Sequence, residues 1–249
     1  MIEEILPPTV AAVDTRAELD VELFPAERAA LGRAVEKRRR EYTTARACAR
    51  RALAQLGVVP GPIATGERGQ PLWPEGVVGS ITHCAGYRAC AVARAAHLAG
   101  VGIDAEPHAP LPGGVLGHLV RPEERLPLAE LAHAEPAVHW DRLLFCAKEA
   151  VYKVWYPLAA CWLGFEDAAL TFDPATRTFQ ARLLKPWPEA GGGVGDGPPL
   201  GVGPLPAPPL GASPSPAPPR GAELPSVLEG RWLVRDGLVL SAIALPQTR

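Results

Sequence analysis

The sequence lacks Cys-x-x-Cys pairs, long hydrophobic runs and an excess of charge of either sign. Its five cysteines are odd in number and lack metal-site spacing, which argues against a disulfide framework and a structural zinc site. No uncharged apolar stretch reaches the ~18 residues of a membrane-spanning helix, so we expect no membrane partner. The segment after Met1 has neither a basic region nor an apolar run, so we expect no signal peptide and a cytoplasmic protein with free thiols.

The overall charge is nearly balanced, with 25 basic and 27 acidic side chains and a formal net charge of −2. This balance argues against a general nucleic-acid binder, because such proteins are basic over the whole domain. The charge is locally uneven: the segment from Arg33 to Arg51 holds eight basic residues against Glu36 and Glu41. This segment would suit a small polyanion, and a solvated helix face is the alternative interpretation.

Proline is concentrated in one segment, between Pro186 and Pro225. Thirteen of the 29 prolines and nine glycines lie there, so 22 of these 40 residues are Pro or Gly. Such a composition cannot form a core, and loop-closure entropy grows only with the logarithm of loop length. We therefore predict a disordered insertion at about 186–225 that separates two β-hairpins within one folding unit.

Hydrophobic periodicity predicts the helices and strands that carry the candidate motifs. Two long helices are predicted, over about 25–56 and 139–156, and Pro157 is expected to stop the second. A further helix is expected to begin at Pro122. The predicted strands cover residues 7–13, 77–81, 89–93, 98–103, 168–172, 179–184, 231–234 and 238–244.

Two carboxylates, Asp104 and Glu106, follow the apolar strand 98–103. In a strand, positions i and i+2 point to the same side. Carboxylates at the end of an apolar strand are costly unless they are solvated or bound to a cation, and hard oxygen ligands suit Mg²⁺. The alternative interpretation is a strand that simply emerges into solvent.

A second pair of charged residues, Glu149 and Lys153, lies in the helix predicted over 139–156. The spacing of four residues projects both side chains from one helix face. A surface salt bridge is the simpler interpretation. The apolar neighbours of Glu149 instead favour a partly buried carboxylate, which could act as a base or complete a metal site.

His83 and Arg46 are the candidate phosphate contacts. A histidine at a strand end can donate to a phosphate, although a structural histidine is an equal alternative. A Cys–His dyad with Cys84 is disfavoured, because adjacent strand residues point to opposite faces. Three carboxylates, a lysine, a histidine and an arginine-rich helix are together what Mg²⁺-assisted phosphoryl transfer on a polyphosphorylated ligand requires.

These motifs resemble those of a known enzyme family. The segment Gly102–Glu106, followed by Ala147–Lys153, resembles the signature of the 4′-phosphopantetheinyl transferase superfamily. The segment Ser80–Cys84 is similar to the family's histidine motif at the expected distance upstream. The resemblance covers about Arg38 to Phe172 and the final hairpin. It extends to the two-lobed, actinobacterial type that activates siderophore, polyketide and nonribosomal peptide synthases.

The resemblance implies roles for individual residues. Asp104, Glu106 and Glu149 match the acids that bind Mg²⁺, with Mn²⁺ as a possible substitute. Glu149 also matches the residue that deprotonates the acceptor serine, and Lys153 the lysine that contacts phosphate and assists the leaving group. The expected coenzyme A contacts are Arg38, Arg46, Arg68, His83, Lys148 and Lys153.

The family also implies a fold and an activity. We expect an α+β fold of two pseudo-twofold related lobes, each with a small antiparallel sheet and a long helix. The N-terminal lobe is expected over 1–108 and the C-terminal lobe over 109–249. The implied reaction transfers the 4′-phosphopantetheine arm of coenzyme A to a serine of acyl or peptidyl carrier protein domains. These domains belong to polyketide, nonribosomal peptide or fatty acid synthases, and the product released is adenosine 3′,5′-bisphosphate. We expect a monomer.

Two other functions stay open at this point. A Mg²⁺-dependent phosphohydrolase would consume coenzyme A without a protein acceptor. A non-catalytic module would bind carrier proteins or coenzyme A without cleaving it. The requirement for a carrier protein distinguishes the transferase from the first, and the presence of an acid triad with Lys153 argues against the second.

Overall fold

The computed structural model describes residues 1–66, 68–188 and 224–247, in which runs of antiparallel strands are separated by groups of helices. The strands are β1 (Val10–Thr15), β2 (Ala64–Thr65), β3 (Pro71–Leu72), β4 (Val77–Cys84), β5 (Tyr87–Arg94), β6 (Leu98–Pro107), β7 (Ala168–Asp173), β8 (Thr178–Leu183), β9 (Val227–Arg235) and β10 (Leu238–Pro246). The helices are α1 (Pro25–Leu31), α2 (Glu36–Gln55), α3 (Leu116–Leu119), α4 (Pro122–Ala134) and α5 (Trp140–Ala159). This confirms the predicted α+β class.

The N-terminal sheet has the strand order β1-β5-β4, and helix α2 packs on one of its faces. The α2 contact uses small side chains at helical spacing, among them Cys48, Ala49 and Ala52, which are fully buried. They pack against Cys90 and Val92 of β5. Small residues on both surfaces let the helix approach the sheet closely.

The second sheet has the strand order β6-β10-β9-β8-β7, and helix α5 covers one of its faces. The two faces of β10 bury different partners, as the alternation of a strand requires. Val239 and Ile243 join the core beneath α5, whereas Leu240 and Ala242 pack with the alanines of β5. The layers therefore follow the order α2, three-stranded sheet, five-stranded sheet, α5.

The predicted long helix over 25–56 is two helices in the structure. Helix α1 ends at Leu31, Gly32 takes a positive φ of 47°, and α2 begins at Glu36. A glycine at this position accommodates a backbone conformation that other residues adopt only with strain. The chain therefore changes direction before the basic segment of α2 begins.

The prediction that Pro157 stops the second long helix is wrong, because α5 continues to Ala159. A proline near a helix C-terminus removes one backbone donor, and the helix proceeds for two further residues before it ends. Ala160 then terminates it in the left-handed conformation, with a φ of 50°.

The final hairpin is confirmed, and its turn has a simple cause. Asp236 and Gly237 have φ values of 51° and 74°, which is the conformation of a two-residue turn between twisted strands. Strands β8 and β9 are also neighbours, with Arg182 opposite Val227. The Pro/Gly tract therefore connects two adjacent strands of one sheet, and most of it, residues 189–223, lies outside the described residues.

The expected boundary between lobes near residue 108 stays a prediction. Strand β6, which precedes that boundary, pairs with β10 in the five-stranded sheet. In the described ranges, none of the helices is long and apolar enough to cross a membrane.

Candidate active site

A cleft of about 290 Å³ lies between helices α2 and α5. One side is formed by α2, the β2–β3 loop and β4, and the other by β6 and α5. Of the nine predicted site residues, Lys148 alone does not line this cleft. The eight that do are Arg38, Arg46, Arg68, His83, Asp104, Glu106, Glu149 and Lys153.

Gly102 allows β6 to lie directly against α5. A Cβ atom on this residue would lie 2.2 Å from the carbonyl oxygen of Ala150 and 2.7 Å from a methyl group of Val154. Only glycine permits this approach without a shift of the backbone. The close packing brings the Lys153 ammonium to 3.1 Å from the Ile103 carbonyl oxygen on the neighbouring strand.

Asp104 is the central acid of the cleft and is 5% exposed. Its Oδ1 accepts hydrogen bonds from Lys153 Nζ at 2.7 Å and from Thr82 Oγ1 at 3.0 Å. Its Oδ2 is buried and has no hydrogen-bond partner among the residues that the structure describes. Burial opposes the charge on Lys153, but Asp104 and Glu149 outweigh it and raise the pKa of this lysine.

Glu149 and Glu106 are the other two acids, and their surroundings disfavour the ionised form of both side chains. Burial, together with the charge of Asp104, raises the pKa of Glu149 to about 7. The same two causes raise the pKa of Glu106 to about 7, although Arg142 opposes the shift. Arg142 Nη1 donates to Glu106 Oε2 at 2.9 Å. A cation placed among these acids would relieve their desolvation and mutual repulsion.

The acids fit a hard divalent cation by their chemistry. Besides Asp104 Oδ2, Glu149 Oε1 is buried without a hydrogen-bond partner within the described ranges. Buried carboxylate oxygens are rarely left without partners, and oxygen is the ligand that Mg²⁺ prefers. Across those same ranges, no three His, Cys, Asp or Glu side chains form a ready-made metal cluster. A cation held by Asp104 and Glu149 would therefore need further ligands from water and a bound phosphate.

The other end of the cleft is basic. Arg38 lies in hydrogen-bond contact with His83 Nε2. Burial, and then the positive charge of Arg38, lower the pKa of His83. Because a guanidinium can only donate, His83 Nε2 accepts this hydrogen bond, and the remaining N–H groups of Arg38 suit a phosphate group at this cleft wall.

Arg46 is buried, with 5% exposure, although the sequence pattern placed it on a polar face of the helix. Its Nε donates to the Ile63 carbonyl oxygen at 3.1 Å, and its Nη2 to Thr65 Oγ1 at 3.0 Å. The guanidinium lies 4.0 Å from the centre of the Tyr42 ring. Burial lowers its pKa, and these contacts fix its orientation toward the cleft.

Lys148 has a structural position instead of the expected phosphate contact. Its ammonium donates to Glu124 Oε2 at 2.9 Å and to the carbonyl oxygens of Leu119, Phe165 and Ala168 at 2.8–3.0 Å. Lys148 and Glu124 are each 3% exposed. Because an ammonium has three N–H groups, these four acceptors leave none for a ligand.

Cys84 offers no nucleophile to the site. Burial, and then the charge of Glu106, raise the pKa of its thiol to about 12. The thiolate is therefore negligible near neutral pH. This agrees with the sequence argument against a Cys–His dyad.

Sequence reasoning missed several residues in the cleft or beside it. Arg142, which pairs with the cleft residue Glu106, lies seven residues before Glu149, two helical turns away on the same face, and that spacing could have indicated it. Thr82 directly precedes His83, and its side chain lies on the opposite face of β4. The aromatic part of the cleft wall is formed by Tyr42, Phe145, Tyr152 and Tyr156.

Comparison with known protein families gives two matches along the chain. Residues 26–93 match the profile of the 4′-phosphopantetheinyl transferase N-terminal domain, and residues 100–190 that of the 4′-phosphopantetheinyl transferase superfamily. Together the two matches cover more than half of the sequence, and both include residues of the cleft.

Three curated proteins are similar over most of their length. The 4′-phosphopantetheinyl transferase Svp of Streptomyces mobaraensis is 50% identical over 90% of this chain and 78% of its own. The 4′-phosphopantetheinyl transferase Npt of Nocardia iowensis is 46% identical over 98% of this chain and 99% of its own. The 4′-phosphopantetheinyl transferase PptT of Mycobacterium tuberculosis is 44% identical over 98% of both chains.

Proposed function

Because this chain belongs to the 4′-phosphopantetheinyl transferase superfamily, we propose that it transfers the 4′-phosphopantetheine arm of coenzyme A to a serine of acyl or peptidyl carrier protein domains. The proposal includes dependence on Mg²⁺ and release of adenosine 3′,5′-bisphosphate. One observation carries it: a single cleft joins a basic end to an acidic end in which two carboxylate oxygens are buried without described partners.

The basic end would hold the phosphate on the ribose of coenzyme A. Arg38 donates to His83 Nε2 and keeps other N–H groups for a phosphate, and Arg46 is oriented by Ile63 and Thr65. Arg68 also lines the cleft. Arginine presents a fork of N–H groups that matches phosphate oxygens, so this end supports anchoring of the nucleotide.

The acidic end would carry the chemistry. Glu149 accepts the proton of the carrier serine, and the serine oxygen forms a bond to the β-phosphorus of coenzyme A. The bond from that phosphorus to the bridging oxygen breaks, and adenosine 3′,5′-bisphosphate leaves with the electron pair. In the absence of a bound cation, burial and the charge of Asp104 raise the pKa of Glu149, which makes this carboxylate a stronger proton acceptor.

Lys153 would stabilise the leaving phosphate. Its raised pKa keeps it cationic at neutral pH, and its contacts with Asp104 and Ile103 hold it at the centre of the cleft. A divalent cation held by Asp104 and Glu149, with Glu106 nearby, would neutralise charge on the pyrophosphate. The proposal also includes a monomer as the active form.

The decisive experiment is intact-mass spectrometry of an apo carrier protein incubated with this protein, coenzyme A and Mg²⁺. We expect the carrier to gain one phosphopantetheinyl group and EDTA to prevent the gain. A carrier whose acceptor serine is replaced by alanine is the control. Cleavage of coenzyme A without any carrier would instead identify a phosphohydrolase. Binding of coenzyme A without any cleavage, across several carriers, would identify a binding module.

A further inference from the structure

Two buried hydroxyl groups join the two sheets beside the active site. Strands β4 and β6 belong to different sheets, and side chains of β4 hydrogen-bond to the backbone of β6. Ser80 Oγ accepts the N–H of Ile103 at 3.1 Å, and Thr82 Oγ1 accepts the N–H of Ala105 at 3.1 Å. Ser80 and Thr82 are each 3% exposed. Both residues therefore hold the sheets together in the same way.

Thr82 makes one contact that Ser80 lacks. Its hydroxyl proton is donated to Asp104 Oδ1 at 3.0 Å. Lys153 donates to the same oxygen, so Oδ1 has two donors while Oδ2 has no N–H or O–H donor among the described residues. The asymmetry fixes which carboxylate oxygen remains available.

We propose that Thr82 is a positioning residue that orients the Asp104 carboxylate so that Oδ2 stays available for a divalent cation. The inference rests on the proposed function, which places that cation at Asp104 and Glu149. Thr82 acts through Asp104 and touches neither the substrate nor the cation in this role.

Thr82 is better suited to this task than Lys153. A β-branched side chain on a buried strand has restricted χ1 freedom, and its hydroxyl is also held by the N–H of Ala105. Lys153 has a long, flexible stem, and in the proposed reaction it also serves the leaving phosphate. When Lys153 turns to the phosphate, Thr82 still holds Oδ1.

The test compares Thr82→Val with Ser80→Ala. Valine preserves the shape of threonine but removes its hydroxyl, so both the Ala105 and the Asp104 contacts are lost. Ser80→Ala removes an equivalent link between the sheets without touching a carboxylate. Thr82→Ser keeps the hydroxyl and should rescue the function. Mn²⁺ serves as the probe, because unbound Mn²⁺ can be measured directly by electron paramagnetic resonance.

We expect Thr82→Val to weaken Mn²⁺ binding by about 10–100-fold, which is the usual effect of losing a hydrogen bond to a metal-binding carboxylate. The kcat for carrier modification should fall by a similar factor, while the dissociation constant for coenzyme A measured without metal stays within about twofold. Ser80→Ala should bind Mn²⁺ like the wild type, and Thr82→Ser should come within about threefold of it.

Two results would overturn this inference. One is wild-type Mn²⁺ affinity in Thr82→Val. The other is an equal loss in Ser80→Ala, which would show that the hydroxyls only join the sheets. If Thr82→Val does not fold, Thr82→Cys replaces it, since a thiol of similar size is a much weaker donor and should still lower Mn²⁺ affinity. If the wild-type protein modifies carriers but does not bind Mn²⁺, the reaction does not need the cation, and both that part of the proposed function and this inference are wrong.

Discussion

The two ends of the cleft differ in how completely their polar atoms are paired. At the basic end, Arg46 is held by Ile63, Thr65 and the Tyr42 ring. At the acidic end, Asp104 and Glu149 each keep one buried oxygen without a described partner. The basic end is therefore organised before a ligand arrives, whereas the acidic end keeps two buried oxygens that a bound cation could pair. Substitutions at the first should change binding, and those at the second should change turnover.

The largest effect is expected for Glu149→Gln. Loss of the base should lower the rate of carrier modification by about 10²–10⁴-fold, while the affinity for coenzyme A changes little. Mass spectrometry of the carrier over time and calorimetry of coenzyme A binding would measure the two quantities. Glu135→Gln, at an exposed position, is the matched control. Near-normal turnover in Glu149→Gln would contradict the assignment of the base.

Lys148→Met should reduce stability instead of binding. Removing the lysine leaves Glu124 buried without its cationic partner, which costs about 3–5 kcal/mol of unfolding free energy. Urea denaturation would measure this loss. Variant protein that remains folded should bind adenosine 3′,5′-bisphosphate as the wild type does. Weak binding together with normal stability would instead support a direct phosphate contact by Lys148.

Arg46→Lys tests the basic end. Lysine keeps the charge but cannot reproduce the fork that contacts Ile63 and Thr65. We expect the KM for coenzyme A to rise by about 10-fold or more with kcat largely retained, because this contact is equal in the ground and transition states. Steady-state kinetics with a carrier protein would show it. A fall in kcat at unchanged KM would place Arg46 in the chemical step.

The smallest effect concerns pH and stability in the presence of EDTA. The pKa values of Glu106 and Glu149 are raised from 4.5 to about 7 in the folded protein. Between those values the folded state binds more protons than the unfolded state, so stability is lost as the pH rises through about 7. The urea midpoint should be higher at pH 6 than at pH 8. Glu149→Gln should reduce this difference, and an unchanged difference would rule out Glu149 as its source.

Much of the fold could be predicted from the sequence, because its signals are local. Alternation and helical spacing identified strand β6 and helix α5 with their acids, and the final hairpin followed from Asp236 and Gly237. The break at Gly32 was missed, because the residues of α1 and α2 were together predicted as one helix over about 25–56. Pro157 was misread, because a proline in the last turn of a helix removes only one hydrogen bond.

The sequence by itself determined which side chains can share a face: Asp104 with Glu106 on a strand, and Glu149 with Lys153 on a helix. These follow from the backbone periods of two and 3.6 residues. Only the tertiary structure decided what each side chain meets. Lys148 and Lys153 lie on the same helix, yet one is enclosed by Glu124 and three carbonyl oxygens, and the other reaches Asp104 in the cleft. The reason is physical: burial and pairing depend on residues far apart in the chain, which no local pattern records.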